Sequence, residues 1–123
     1  MLRAGRGVII NTASVAGVAG GRAGAAYTAS KHGLIGLTRN IAVTYGRDGI
    51  RCVAIAPGAV NTGISPGGEP SQRGYAILSS TLSTNIRYAE PVEIANIAVF
   101  LSSDEASVIN GMVLVADGGW LAA

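Results

Sequence analysis

The sequence predicts an α/β fold built on a parallel sheet, and three observations carry that expectation. Short runs that are apolar on nearly every residue recur at 7–12 (GVIINT), 50–57 (IRCVAIAP) and 112–116 (MVLVA). Segments with helical spacing lie between them. Glycine or proline punctuates the strand ends. A strand that is apolar throughout is one covered on both faces, and strands alternating with helices indicate right-handed parallel crossovers.

Each element follows from its own residues. Residues 7–12 are bracketed by glycines and read as the first strand. Residues 14–24 hold Gly17, Gly20, Gly21 and Gly24 among small side chains and read as a loop. From Ala25 the period changes: Leu34, Leu37, Ile41 and Tyr45 recur at three and four residues, giving a helix of about twenty residues with Gly46 as its C-cap. Residues 50–57 form the second strand, ended by Pro57-Gly58. Residues 58–87 are irregular, with a weak helical stretch at 75–82. Pro91 opens a further helix at the favoured first position, with Ile94, Ile97, Ala98 and Leu101 on one face. Residues 112–116 form the third strand, closed by Asp117-Gly118-Gly119.

Composition bounds what such a domain does. With 123 residues, 49% apolar and 13% charged, the chain can fill one core, and disorder is excluded. A net charge of +2 without a Lys/Arg cluster argues against a nucleic-acid or membrane surface. The longest helical apolar run, 94–101, is far short of the roughly 20 residues of a membrane span, and no leader pattern follows Met1. A cytoplasmic protein is expected. Cys52 is the single cysteine, so an internal disulfide is excluded, and no second Cys or His stands near it to hold a metal.

The chemistry-bearing residues are Tyr27, Lys31 and Ser14. Tyr27 and Lys31 lie four apart, on one face of the first helix. A phenol ionises near pH 10 and is a poor base at neutrality. An ammonium held at about 5 Å favours the phenolate by about 3 kcal/mol at an effective dielectric near 20. Such a phenol can exchange a proton with a substrate hydroxyl or carbonyl. Ser14 follows the C-terminal end of the first strand, the edge where open α/β sheets place their ligands. Each signal alone is weak, since YxxxK arises by chance on many helices and serine is common at loop entries.

Together they resemble the catalytic segment of short-chain dehydrogenases/reductases of the classical type. Asn11-Thr12-Ala13-Ser14-Val15-Ala16-Gly17 matches the family's N-x-[SA]-S-x-x-G, and Tyr27-Thr28-Ala29-Ser30-Lys31 matches Y-x-[AS]-S-K at the family's spacing of thirteen from serine to tyrosine. Pro57-Gly58-Ala59-Val60-Asn61-Thr62 is similar to the P-G-x-[VI]-x-T segment. Asn110-Gly111 with Val115-Ala116-Asp117-Gly118-Gly119 is similar to the closing N-G-x3-V-x-D-G-G strand. The resemblance implies the C-terminal half of a Rossmann-like domain, with three parallel strands and crossover helices.

It also implies roles. Tyr27 would be the general acid/base, Ser14 would polarise the substrate oxygen, and Lys31 would favour the ionised phenol and hold the nicotinamide ribose. Pro57 and Gly58 would let the backbone pass close to the cofactor, and Val60 (through its backbone) and Thr62 would meet the carboxamide. The cofactor would be NAD or NADP, the substrate a small alcohol or carbonyl compound, and the assembly a homo-oligomer. Residues 63–85 would be the substrate lid. His32 follows Lys31 and points away from Tyr27, so it is expected to pack rather than catalyse. Gly33 and Gly36 would permit close helix–helix approach, and Trp120 would be a packing or subunit-contact anchor.

The Rossmann glycine turn, the Asn-Asn-Ala-Gly strand end and the helix-borne Asn of the family would lie upstream of Met1. The glycines of 17–24 imitate that turn, but the connection is too long and no acid ends the next strand. The resemblance therefore covers the half without the adenosine and pyrophosphate site, and leaves the first strand without its outer partner. An alternative of a different class follows: a non-enzymatic remnant or oligomerisation module. A Ser–Lys hydrolase is disfavoured, because neither G-x-S-x-G nor S-x-x-K surrounds Ser14.

Overall fold

A computed structural model describes residues 1–64, 69 and 71–122. Three strands, β1 (Gly7–Thr12), β2 (Ile50–Pro57) and β3 (Val113–Ala116), form one parallel sheet in the order β1-β2-β3. Gly7 is level with Ile50 and Thr12 with Ile55; Ala54 is level with Val113 and Pro57 with Ala116. All three strands therefore end at one rim, which carries the loops that follow β1 and β2. The helices are α1 (Ala25–Tyr45), α2 (Gln72–Leu82) and α3 (Pro91–Ser102).

The middle strand organises the core. Val53 and Ile55 pack with Leu101, Ile94, Ile97 and Ala98 of α3 and with Ile10 of β1. Ala54 and Ala56, pointing to the other face, pack with Ile35 of α1, Ala13 and Val113. Because side chains alternate along a strand, α1 and α3 cover opposite faces of the sheet. The strands step in one direction while their helices lie on opposite sides, so the two crossovers have opposite hands. The expectation that both would be right-handed fails for one of them. The hand preference comes from short connections that follow the strand twist, whereas here α2 and its flanking loops intervene between β2 and α3.

Polar groups inside the core are satisfied by specific partners. Asn11 Nδ2 donates to Thr38 Oγ1 at 2.9 Å, and Thr38 Oγ1 donates to the Leu34 carbonyl at 2.8 Å, tying β1 to α1. Asn110 Oδ1 accepts from the Cys52 N–H at 2.8 Å and its Nδ2 donates to the Ala42 carbonyl at 3.2 Å, joining β2 to the end of α1. Arg51 donates to the carbonyls of Leu101, Ser103 and Ile109 at 3.0–3.1 Å. It thus caps the C-terminus of α3, where a cation complements the helix dipole. Cys52 is fully buried and its thiol is pushed up by that burial, with the Thr38 hydroxyl acting the other way. It behaves as a small core residue.

Three boundaries differ from expectation. Gly46 keeps right-handed helical angles and the chain tightens into a 3-10 turn, Gly46–Asp48; the left-handed residue is Gly49, at φ 74°. A side chain there would run into the Gly5 carbonyl. The helix expected at 75–82 begins earlier, at Gln72, because the Ser71 hydroxyl caps it by accepting from the Gly74 N–H at 3.2 Å. β1 is only half-buried, although α1 reaches it at Asn11 and α3 at Ile10.

Candidate active site

β1 ends at Thr12, and the chain turns at once. Ser14 Oγ accepts from the Ala16 N–H at 3.1 Å and starts the 3-10 turn Val15–Gly17. Gly17 lets this turn lie against α1, since a Cβ there would sit 2.9 Å from the Lys31 carbonyl oxygen. Here the glycines of the 17–24 loop serve packing and turning: Gly17 by close approach and Gly21 by its φ of 72°.

One turn of α1 separates Tyr27 from Lys31, and the two meet as the spacing predicts. Lys31 Nζ lies 5.4 Å from the centre of the Tyr27 ring and donates to the Thr12 carbonyl at 2.8 Å. That bond fixes the ammonium between the strand end and the tyrosine. Tyr27 is 41% exposed, so its phenol is open to a ligand. His32 Nδ1 meets the Thr28 carbonyl of its own helix at 3.0 Å, at the surface and apart from this trio.

Ser14 and Tyr27 line one open cleft of about 400 Å³, together with Gly58, Val60 and Thr62. Lys31 and Pro57 are not among its lining residues. The second wall follows from the end of β2. Gly58 packs on Asp117, where a Cβ would sit 2.8 Å from the Asp117 Cα, so only glycine fits. Asp117 is itself held by the Gly119 and Leu121 N–H groups, at 2.9 and 2.8 Å. The next residues form a parallel bridge, with the Ala89 N–H donating to the Ala59 carbonyl and the Asn61 N–H to the Ala89 carbonyl, each at 2.9 Å. In such a bridge Val60 turns its own N–H and C=O to the opposite side.

The third wall joins the expected lid to two residues not foreseen at the site, Arg22 and Trp120. α2 contributes Leu78 and Leu82, and the loop before α1 contributes Arg22. Trp120, 3% exposed, also lines the cleft; its indole N–H donates to the Thr81 carbonyl at 2.6 Å. The expectation of a packing anchor holds, with the anchor made inside the chain. The Thr81 hydroxyl, whose single proton the Leu78 carbonyl also attracts at 2.9 Å, lies 3.3 Å from the Gly21 carbonyl. The C-terminal end of the expected lid is therefore clasped to the loop before α1 and to the segment after β3. Residues 65–68 and 70 of that lid lie outside the described residues. The signal for this wall was available in the sequence: an arginine five residues before Tyr27, and a tryptophan just after the last strand.

The fold and the rim arrangement define an enzyme-like α/β domain with its cleft at the strand ends. A family model described as enoyl-(acyl carrier protein) reductase matches residues 1–121. The chain belongs to the short-chain dehydrogenase/reductase family. It is 50% identical over 123 residues to 3beta-hydroxysteroid dehydrogenase 2 of Eggerthella lenta, covering 99% of this chain and 47% of that protein. The structure of 4-hydroxyisoleucine dehydrogenase complexed with NADH superposes with a TM-score of 0.78 at 37% identity, over 96% of this chain and 48% of that one. A Beutenbergia cavernae structure with NADP bound at low occupancy gives 0.82 at 41% identity, over 100% of this chain and 49% of that one. The chain thus spans about half the length of the relatives it matches. Among the described residues no helix is long and apolar enough to cross a membrane, and no cluster of three or more metal-ligating side chains occurs.

Proposed function

We propose that this chain carries the catalytic portion of an NAD(P)-dependent oxidoreductase that interconverts an alcohol and a carbonyl. The observation that carries the reading is the placement of the Tyr27 ring, the Lys31 ammonium and Ser14 at one rim, with Tyr27 and Ser14 in one cleft. The residues fit the nicotinamide end of the cofactor. Val60 turns free peptide groups away from its bridge, Thr62 adds a hydroxyl to the cleft, and Lys31 offers ammonium protons beyond the one given to Thr12. Bound nicotinamide would supply the hydride acceptor or donor. Tyr27 would take the proton from a substrate alcohol or return it to a carbonyl, and Ser14 would hold the same oxygen by a hydrogen bond. Lys31 would stabilise the phenolate formed as the proton leaves.

Replacing the matching half of the Eggerthella lenta relative with residues 1–123 tests this reading. The chimera is expected to oxidise secondary alcohols, and Tyr27→Phe to lower kcat by about 10²- to 10⁴-fold, the scale of a lost acid/base. An equally active Tyr27→Phe chimera would refute the role.

The open outer edge of β1 favours a second reading, a module that acts by pairing with other chains. That reading expects concentration-dependent association of the 123-residue chain and no turnover in the chimera.

A further inference from the structure

Arg22 occupies an unusual position for a cation. Its guanidinium lies over the Trp120 ring, 4.9 Å from the ring centre, and its Nε is enclosed with no hydrogen-bond partner. It is the single charged side chain among the described residues that line the cleft. By contrast, the other groove, of about 290 Å³, contains a charge already matched: Arg87 pairs with Glu93 at 2.6 Å.

A guanidinium drawn partly out of water is costly unless an anion meets it. Stacking on an indole fixes the guanidinium plane and leaves its N–H fork free, the geometry that suits a carboxylate. The clasp that joins Gly21, Thr81 and Trp120 holds this arrangement before any ligand arrives. The same cleft is lined by the apolar side chains of Leu78, Leu82 and Ile64.

We propose that Arg22 is the cleft's receptor for a carboxylate and restricts the substrate to alcohols or ketones that carry one. The carboxylate pairs with the guanidinium, the carbon chain lies on the apolar side chains, and the reacting oxygen meets Ser14 and Tyr27. The assignment of the reacting end rests on the oxidoreductase reading above; the anion site does not.

Nuclear magnetic resonance titration of the 123-residue chain with succinate and with its neutral counterpart succinamide separates the two. Succinate is expected to shift the amides of Gly21, Arg22 and Ala23 and to bind about 10- to 100-fold more tightly than succinamide, the range of a lost charge-assisted hydrogen bond. Arg22→Leu should erase the difference. Arg22→Lys, which keeps the charge without the planar fork, should retain part of it. Amide shifts away from the loop that match the parent chain certify that each variant is folded. The comparison of the two probes on the unaltered chain needs no variant at all. Equal responses to succinate and succinamide, or succinate binding unchanged in a folded Arg22→Leu, would overturn the proposal. Succinate selectivity present while the chimera lacks turnover would leave the anion site standing and remove only the oxidoreductase reading.

Discussion

β1 and β2 lie side by side in register and are built from similar residues, yet they end in different surroundings. Six of the eight residues of β2 from Cys52 to Pro57 are buried, and Ile50 with them, because α1 covers one face, α3 the other, and a strand flanks each edge. No residue of β1 is fully buried, although Val8, Ile9 and Ile10 are as apolar as Val53 and Ile55. The difference is one of neighbours, since β1 has a strand on one side only. Its residues suit a central strand, and the chain spans about half the length of the relatives it matches. The site repeats the contrast at the rim. The side we propose for substrate and nicotinamide is assembled from β1, α1 and the end of β2, while the outer edge of β1 offers unpaired backbone.

The largest effects that sharpen this comparison are in the core. Leu101→Ala removes a fully buried side chain between β2 and α3 and is expected to cost about 2–5 kcal/mol in chemical denaturation. Ile9→Ala in β1, only half-buried, should cost clearly less. Equal losses would mean that β1 is as enclosed in solution as β2, by self-association or otherwise.

Arg51→Met should cost about 1–3 kcal/mol, because it strips the Leu101 and Ser103 carbonyls at the end of α3, and the Ile109 carbonyl before β3, of their common donor. A loss below about 0.5 kcal/mol would show that water replaces those bonds without penalty.

Gly58→Ala tests the second cleft wall. The added methyl meets the Asp117 backbone at 2.8 Å, so the segment must shift, at about 1–3 kcal/mol. In the chimera the same change should raise KM for the cofactor. Unchanged stability and unchanged KM would show that the approach of Gly58 to Asp117 is not required.

The smallest effect concerns the surface pair before α3. Glu93 is held down to about 2, from an ordinary value near 4.5, first by the Arg87 guanidinium and then by the Glu90 N–H. Its folded value is depressed, so its contribution is fully present above about pH 4.5 and is lost as pH falls towards 2. Because both side chains are substantially exposed, screening keeps the effect small. Glu93→Gln should therefore cost a small amount of stability at neutral pH, and that cost should vanish as pH falls towards 2, which denaturation at a series of pH values reads directly.

Much of this molecule was legible in its residues. The three strands fell within a residue of their sequence limits, because each apolar run stops at Gly, Thr or Pro. Tyr27 and Lys31 met as helical spacing demands, and Ser14 stood at the strand end. What escaped notice depends on distant partners. Ser71 as a cap is visible only once Gln72 is known to be helical. The opposite hand of one crossover depends on which face Leu101 and Ile35 choose. Arg22 became a cleft residue only because Trp120, far along the chain, returns beneath it. The burial of β1 could not be read from GVIINT alone, since apolar content reports the environment a strand suits and not the one it has.

We propose that Ser14, Tyr27, Lys31, Val60 and Thr62 form the substrate and nicotinamide end of a dinucleotide site, and that residues 1–123 by themselves grip the rest of the dinucleotide weakly. Family resemblance places most cofactor contacts on the first βαβ unit, where pyrophosphate meets a helix N-terminus. The few contacts offered here, each net about 1 kcal/mol, face an association cost of at least about 4 kcal/mol. Calorimetric titration of the 123-residue chain with NADH and then NADPH is the most direct test. The account predicts dissociation constants of about 1 mM or weaker for both, with affinity recovered in the chimera. Micromolar binding of either by the chain alone would contradict it.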